Sequence, residues 1–172
     1  MRRVPILSIA VTTAIAVAAP AAAQDHAAHA GHPASAAPAA GDTAFAKLQE
    51  RGRIAMGVNQ YTSRHVFEVL PDGGRIELQR VEEDREGADT IRRHLQEIAA
   101  AFKAGDFSTP GFVHWREVPG VPVMAARRER IAYAYRELPR GGELRITSPD
   151  SVAVSAIHEF LAFQNSDHRT GH

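Results

Sequence analysis

From His65 to Leu70 two sets of positions alternate, His65, Phe67 and Val69 on one side and Val66, Glu68 and Leu70 on the other, so that His65 shares a face with two apolar residues. Such alternation predicts a half-buried strand, and the β-branched and aromatic residues upstream extend it back towards Val58. A return strand follows from Arg75 to about Val81, with Ile76 and Leu78 inward. The period then lengthens. Ile91, Leu95, Ile98 and Phe102 predict an amphipathic helix from about Ala88 to Ala104, stopped by Gly105, with His94 on the border of its apolar stripe. The succession then recurs. Ile131, Tyr133 and Tyr135 mark a strand, Glu143 to Thr147 its return, and Val154, Ile157 and Leu161 a second helix that opens after Pro149-Asp150 and frays into Asn165-Ser166-Asp167-His168.

Each strand pair is joined by the same corner. Leu70-Pro71-Asp72-Gly73-Gly74 returns as Leu138-Pro139-Arg140-Gly141-Gly142, an offset of 68. Proline fixes φ, and a following glycine can take positive φ, so each copy predicts a hairpin. Together they predict an α+β fold: a duplicated β-hairpin-plus-helix repeat forming one four-stranded antiparallel sheet with the helices on one face. Repeat one covers about 65–104, a connector 105–130, and repeat two about 131–165. Before the first repeat, Asp42-Thr43 predicts the cap of a short helix carrying Phe45, Leu48 and Ile54 and ending near Gly57. In the connector, Pro110-Gly111 predicts a loop from Asp106 leading into an extended Phe112–Trp115, and Val123 to Glu129 a brief helix holding Met124.

Composition divides the chain further. Residues 1–23 read as a signal peptide: Arg2 and Arg3, an apolar run from Ile6 to Ala19, and cleavage near Ala23/Gln24. The run is shorter than the roughly 20 residues of a membrane span, so the expected destination is the periplasm or the medium, without membrane insertion. Residues 24–41 are almost wholly Ala, Pro, Gly and His and predict a disordered tail. That leaves 42–172 as a single domain. Removing Arg2 and Arg3 leaves 18 basic against 20 acidic side chains, a balance that gives no reason to expect nucleic acid as a partner. Cysteine is absent, which excludes disulfides, thiolate metal sites and cysteine catalysis.

The remaining chemistry rests on nine histidines. In the folded part His65, His94, His114, His158 and His168 are candidate imidazole ligands, with Met124 and Met56 as thioethers suited to copper. The repeat predicts that His94 and His158 approach each other or sit symmetrically about its axis. His26, His29 and His32 in the tail form a looser candidate chelate. The ion expected is copper, with zinc the alternative and no ion a third outcome. Structural histidines bonded to carboxylates such as Glu97, Glu129 or Glu159 would look the same in sequence. Nucleophilic catalysis has less behind it: Ser63 with His65, and Ser155 with His158, lack a Gly-x-Ser-x-Gly elbow. The Gly-Gly pairs precede strands rather than helices, so they read as turns, not phosphate cradles. An interaction module is the remaining class, docking a partner protein in the periplasm or self-dimerising through its sheet, with Arg75, Arg80, Arg136 and Arg145 as docking or edge-protecting groups.

Tyr61-Thr62-Ser63-Arg64-His65-Val66-Phe67, Asp72-Gly73-Gly74, Gly105-Asp106-Phe107, Ile157-His158-Glu159-Phe160-Leu161 and Asp167-His168-Arg169-Thr170-Gly171 resemble a group of small exported bacterial proteins of unestablished function. The resemblance covers nearly all of the chain after the tail. Some members are labelled aspartate carbamoyltransferase, and some travel with metal and copper handling systems. That transferase chemistry requires a Ser-Thr-Arg-Thr phosphate loop and two large α/β domains. The nearest string here is Phe107-Ser108-Thr109-Pro110, without the arginine or the length.

Overall fold

The computed structural model describes residues 40–170, with side chains from residue 43 onward. Residues 1–39, which include the expected signal peptide and His26, His29 and His32, and residues 171–172 lie outside the described residues. The elements in order are α1 (Ala40–Met56), a 3-10 turn (Gln60–Thr62), β1 (Ser63–Leu70), β2 (Gly73–Arg80), α2 (Arg85–Ala104), α3 (Ser108–His114), α4 (Val121–Ala126), a 3-10 turn (Arg128–Arg130), β3 (Ala132–Leu138), β4 (Gly141–Thr147) and α5 (Ser151–His168). Among the described residues no helix is long and apolar enough to cross a membrane.

Several boundaries differ from the sequence expectation. α1 starts upstream of Asp42, β1 opens at Ser63 after a 3-10 turn rather than near Val58, and the brief helix α4 covers Val121–Ala126 rather than Val123 to Glu129. α2 begins a turn early because the Asp84 carboxylate accepts from Gly87 N at 3.0 Å and caps it. Residues 108–114 are a helix, not a loop into a strand: Pro110 falls in the first turn, where a missing N–H costs no hydrogen bond. α5 runs on to His168 because its weak helix formers are held from outside. Asn165 Nδ2 donates to Phe67 O at 2.6 Å, and Asp167 binds His114 and Arg116.

The sheet is antiparallel in the order β1-β2-β4-β3, so the two hairpins meet along β2 and β4. Their registers are compatible with the repeat. His65 faces Leu78 as Tyr133 faces Ile146, and Phe67 faces Ile76 as Tyr135 faces Leu144. At the seam Ile76 faces Leu144, its own counterpart 68 positions on. The glycines are in the strands rather than the turns, which Pro71-Asp72 and Pro139-Arg140 occupy. A Cβ on Gly73 would lie 2.2 Å from Ile146 O, and one on Gly141 2.0 Å from Leu78 O. The second glycine of each pair makes room for a helix: Leu161 of α5 sits over Gly74, and Leu95 of α2 over Gly142.

Each helix therefore packs on the other repeat's hairpin, α2 over β3 and β4 and α5 over β1 and β2. It also holds the opposite corner. Arg92 of α2 donates to Leu138 O (2.9 Å) and Pro139 O (3.0 Å), and His158 Nε2 of α5 donates to Leu70 O (2.9 Å). The core between helices and sheet centres on Ile91, Leu95, Phe102, Leu144, Ile157 and Phe160, with Phe107 stacked on Phe102 at 4.3 Å. On the open face Arg75 bridges the directly opposed Glu77 and Glu143 at 2.9 Å each, and Arg136 also reaches Glu143. Without these arginines the two carboxylates would repel across the seam.

Gly141→Ala is expected to destabilise the protein by roughly 3 kcal/mol or more, since the backbone seam cannot widen locally. Gly111→Ala, in open space within α3, should shift stability by no more than about 1 kcal/mol, and towards greater stability. Urea denaturation of both variants checks the pair.

Candidate functional site

Four elements bring four histidines to one cavity. His65 comes from β1, His94 from α2, His114 from the last position of α3 and His168 from the last turn of α5. The cavity measures about 90 Å³, room for several waters. The rest of its wall is mostly apolar, including Met56, Phe67, Leu78, Leu95, Phe102 and Phe160. No Asp, Glu, Lys or Arg lines it. His65, His114 and His168 are buried. The His168 ring stands between the other two, 6.0 Å from His65 and 5.1 Å from His114 between centroids.

Hydrogen bonds fix the rings. Ser63 Oγ donates to Asn59 O at 2.7 Å, so it accepts from His65 Nε2–H at 3.0 Å, and the lone pair of His65 is on Nδ1. Gln60 Nε2 donates to the carbonyl of His168 at 2.8 Å. That turns its Oε1 towards His168 Nδ1 at 2.9 Å, which must therefore be the N–H, and leaves the lone pair on Nε2. His114 faces an oxygen at each nitrogen, Asp167 Oδ2 at 2.5 Å and Gln164 Oε1 at 3.0 Å. The Gln164 Nε2 group is buried without a partner. His94 makes no hydrogen bond among the described residues.

Burial sets the charge state. It pushes His65 down to about 3, with His168 and His94 adding to the effect. Burial and then the His114 charge push His168 down to about 4. Burial also lowers His94, against the opposing pull of Glu97. At neutral pH these three imidazoles are uncharged, the protonation state of a metal ligand.

Two expected ligands are elsewhere. His158 is bonded to the corner carbonyl of Leu70 and does not approach His94; it follows His94 by 64 positions, not 68, so the two never occupied matching points. The other corner, Leu138-Pro139 of repeat two, is held instead by Arg92 of α2. Met124 is fully buried in the core and absent from the cavity wall, whereas Met56 lines it. Among the described residues no three His, Asp, Glu or Cys side chains form a ready coordinating group. The gathered histidines thus share a cavity without being assembled as a closed ligand set. The Ser63–His65 pair is not an activated nucleophile, because the serine proton is directed to Asn59 O. Gln60, Gln164 and Asp167 were not singled out from the sequence, since nothing local distinguishes an orienting amide or carboxylate from a solvated one.

No family model, no curated protein and no solved structure matches the chain.

The depressed histidines give a signed pH dependence. Unfolded, they bind protons near pH 6.5; folded, His65 and His168 do so only near 3 and 4. Their neutral burial costs no protonation energy above pH 6.5, and stability is lost as pH falls below it, by about 1.4 kcal/mol per pH unit per histidine. Urea unfolding between pH 7 and 5 should show this slope, and His168→Gln should reduce it by about one proton. An unchanged slope would contradict the assignment.

Proposed function

We propose that the protein is an exported, non-catalytic metal-binding protein, that the histidine-lined cavity is its site, and that its ion is copper before zinc. One observation carries the reading: His65 and His168 are each held through one nitrogen by an oxygen acceptor, leaving the other as a neutral lone pair beside the same cavity. Ligating histidines are positioned in this way, by a bond at the far nitrogen that fixes tautomer and ring plane. His114, anchored on Asp167, repeats the pattern on one side. Its second nitrogen becomes available if the Gln164 amide turns away. Closing the rings on an ion is part of the proposal, because the described residues hold no ready three-ligand group. The tail histidines His26, His29 and His32 would add a weaker, exchangeable chelate.

A second reading has its own support. The partnerless Gln164 amide in an otherwise apolar wall suits a small apolar molecule with one hydrogen-bond acceptor. A docking role has less, since Arg75, Arg136 and Arg145 are engaged by acidic neighbours on the open face.

Calorimetric titration of Cu(I) under reductant, Cu(II) and Zn(II) into the chain from Gln24 separates the readings. Binding should weaken at least 100-fold in His65→Ala/His168→Ala. It should persist in His158→Ala and in a variant with His26, His29 and His32 replaced by alanine. Binding that depends only on the tail would overturn the folded site, and absence of any binding would favour the organic ligand.

A further inference from the structure

Resting on the metal-binding reading, we infer that the cavity selects a soft monovalent ion, Cu(I), and that Met56 rather than Met124 completes its donor set with His65 and His168. Three features of the cavity lead there. The first is charge. Its wall carries no carboxylate; Asp167, bonded to His114, is also engaged by Arg116, and Glu97, whose charge is felt by His94, does not line the cavity. The cost of placing an ion against a neutral, mostly apolar wall grows with the square of its charge, so a divalent ion meets about four times the penalty of a monovalent one.

The second feature is the number of donors. Zinc sites take four ligands, and Cu(II) prefers four nitrogen or oxygen donors in a plane. Cu(I) is satisfied by two or three, thioethers included. Two imidazoles sharing one ion place each ring centroid about 3.2 Å from it, given a bond of about 2 Å, so their centroids are at most about 6.4 Å apart. His65 and His168 stand 6.0 Å apart, with Nδ1 of the one and Nε2 of the other free of hydrogen bonds.

The third is the position of the thioethers. Met56 ends α1 beside Gly57, whose φ of +77° turns the chain towards β1, and its side chain is part of the cavity wall. Met124 lies in the core cluster and lines no part of the cavity. A thioether with two neutral imidazoles is a donor set that prefers Cu(I) over Zn(II).

The test uses the full mature chain with His26, His29 and His32 replaced by alanine, so that only the folded part is read. Anaerobic competition against the chromogenic Cu(I) chelator bicinchoninate should show one Cu(I) per chain, bound at least 1000-fold more tightly than Zn(II). Met56→Leu, which conserves volume, should weaken Cu(I) at least tenfold with little change in Tm, and Met124→Leu should leave it unchanged. X-ray absorption of the Cu(I) protein should show a sulfur neighbour that Met56→Leu removes. Tighter binding of Zn(II) or Cu(II) that depends on His65 and His168, or sulfur scattering that survives Met56→Leu, overturns the Cu(I) assignment while the histidine site stands. Absence of all metal binding in this chain, with its tail histidines replaced, overturns the site and the assignment together.

Discussion

The structure depends on how closely β2 and β4 approach at the ends of their seam. Gly73 abuts the carbonyl of Ile146 and Gly141 that of Leu78, at distances where no side chain fits. This contact brings two hairpins into one sheet with Ile76 opposite Leu144. The second glycines then admit Leu161 and Leu95, which seats each helix across the other repeat's hairpin. A hairpin with one helix would be marginal alone, since it could not bury its apolar face. Exchanging helices across the seam gives both hairpins a lid.

That exchange also creates the cavity. α2 and α5 cover opposite halves of the sheet, and α1 and α3 close the space between them, so His94, His168, Met56 and His114 reach His65 from four separate helices. Burying several imidazoles in an apolar wall disfavours their charged forms, as their lowered proton affinities record, and so weakens the fold below pH 6.5. The surrounding polar groups are arranged to orient the rings rather than to neutralise them: Ser63 and Gln60 each accept one N–H and leave the other nitrogen free. Leucines would pack this space with less penalty. The retained polarity is the physical reason to regard the cavity as a binding site.

The sheet and the stripe of α2 were legible because period two and period 3.6 leave a direct imprint on apolar spacing. α3 was hidden by Pro110-Gly111, whose position within the first helical turn is invisible to a reading that treats Pro-Gly as a break. The end of α5 was hidden by Asn165, Ser166 and Asp167, which are helical because β1, α3 and Arg116 hold them. For the site, His65, His94, His114 and His168 were named as candidates, yet the pairing of His94 with His158 failed because the helices do not keep the 68-residue offset that the hairpins keep. Met56 and Met124 are indistinguishable by type, and only the packing of α1 over the sheet puts the first at the cavity. The orienting groups Gln60 and Gln164 are ordinary amides until the fold places them.

The central claim, that specific imidazole nitrogens are held free for an ion, is tested most directly by histidine ¹⁵N NMR, with Ag(I) as a redox-inert stand-in for Cu(I). The account predicts protonated Nε2 on His65 and protonated Nδ1 on His168 before addition, and large shifts of His65 Nδ1 and His168 Nε2 after it. Opposite tautomers, or shifts confined to His26, His29, His32 and His158, would contradict it.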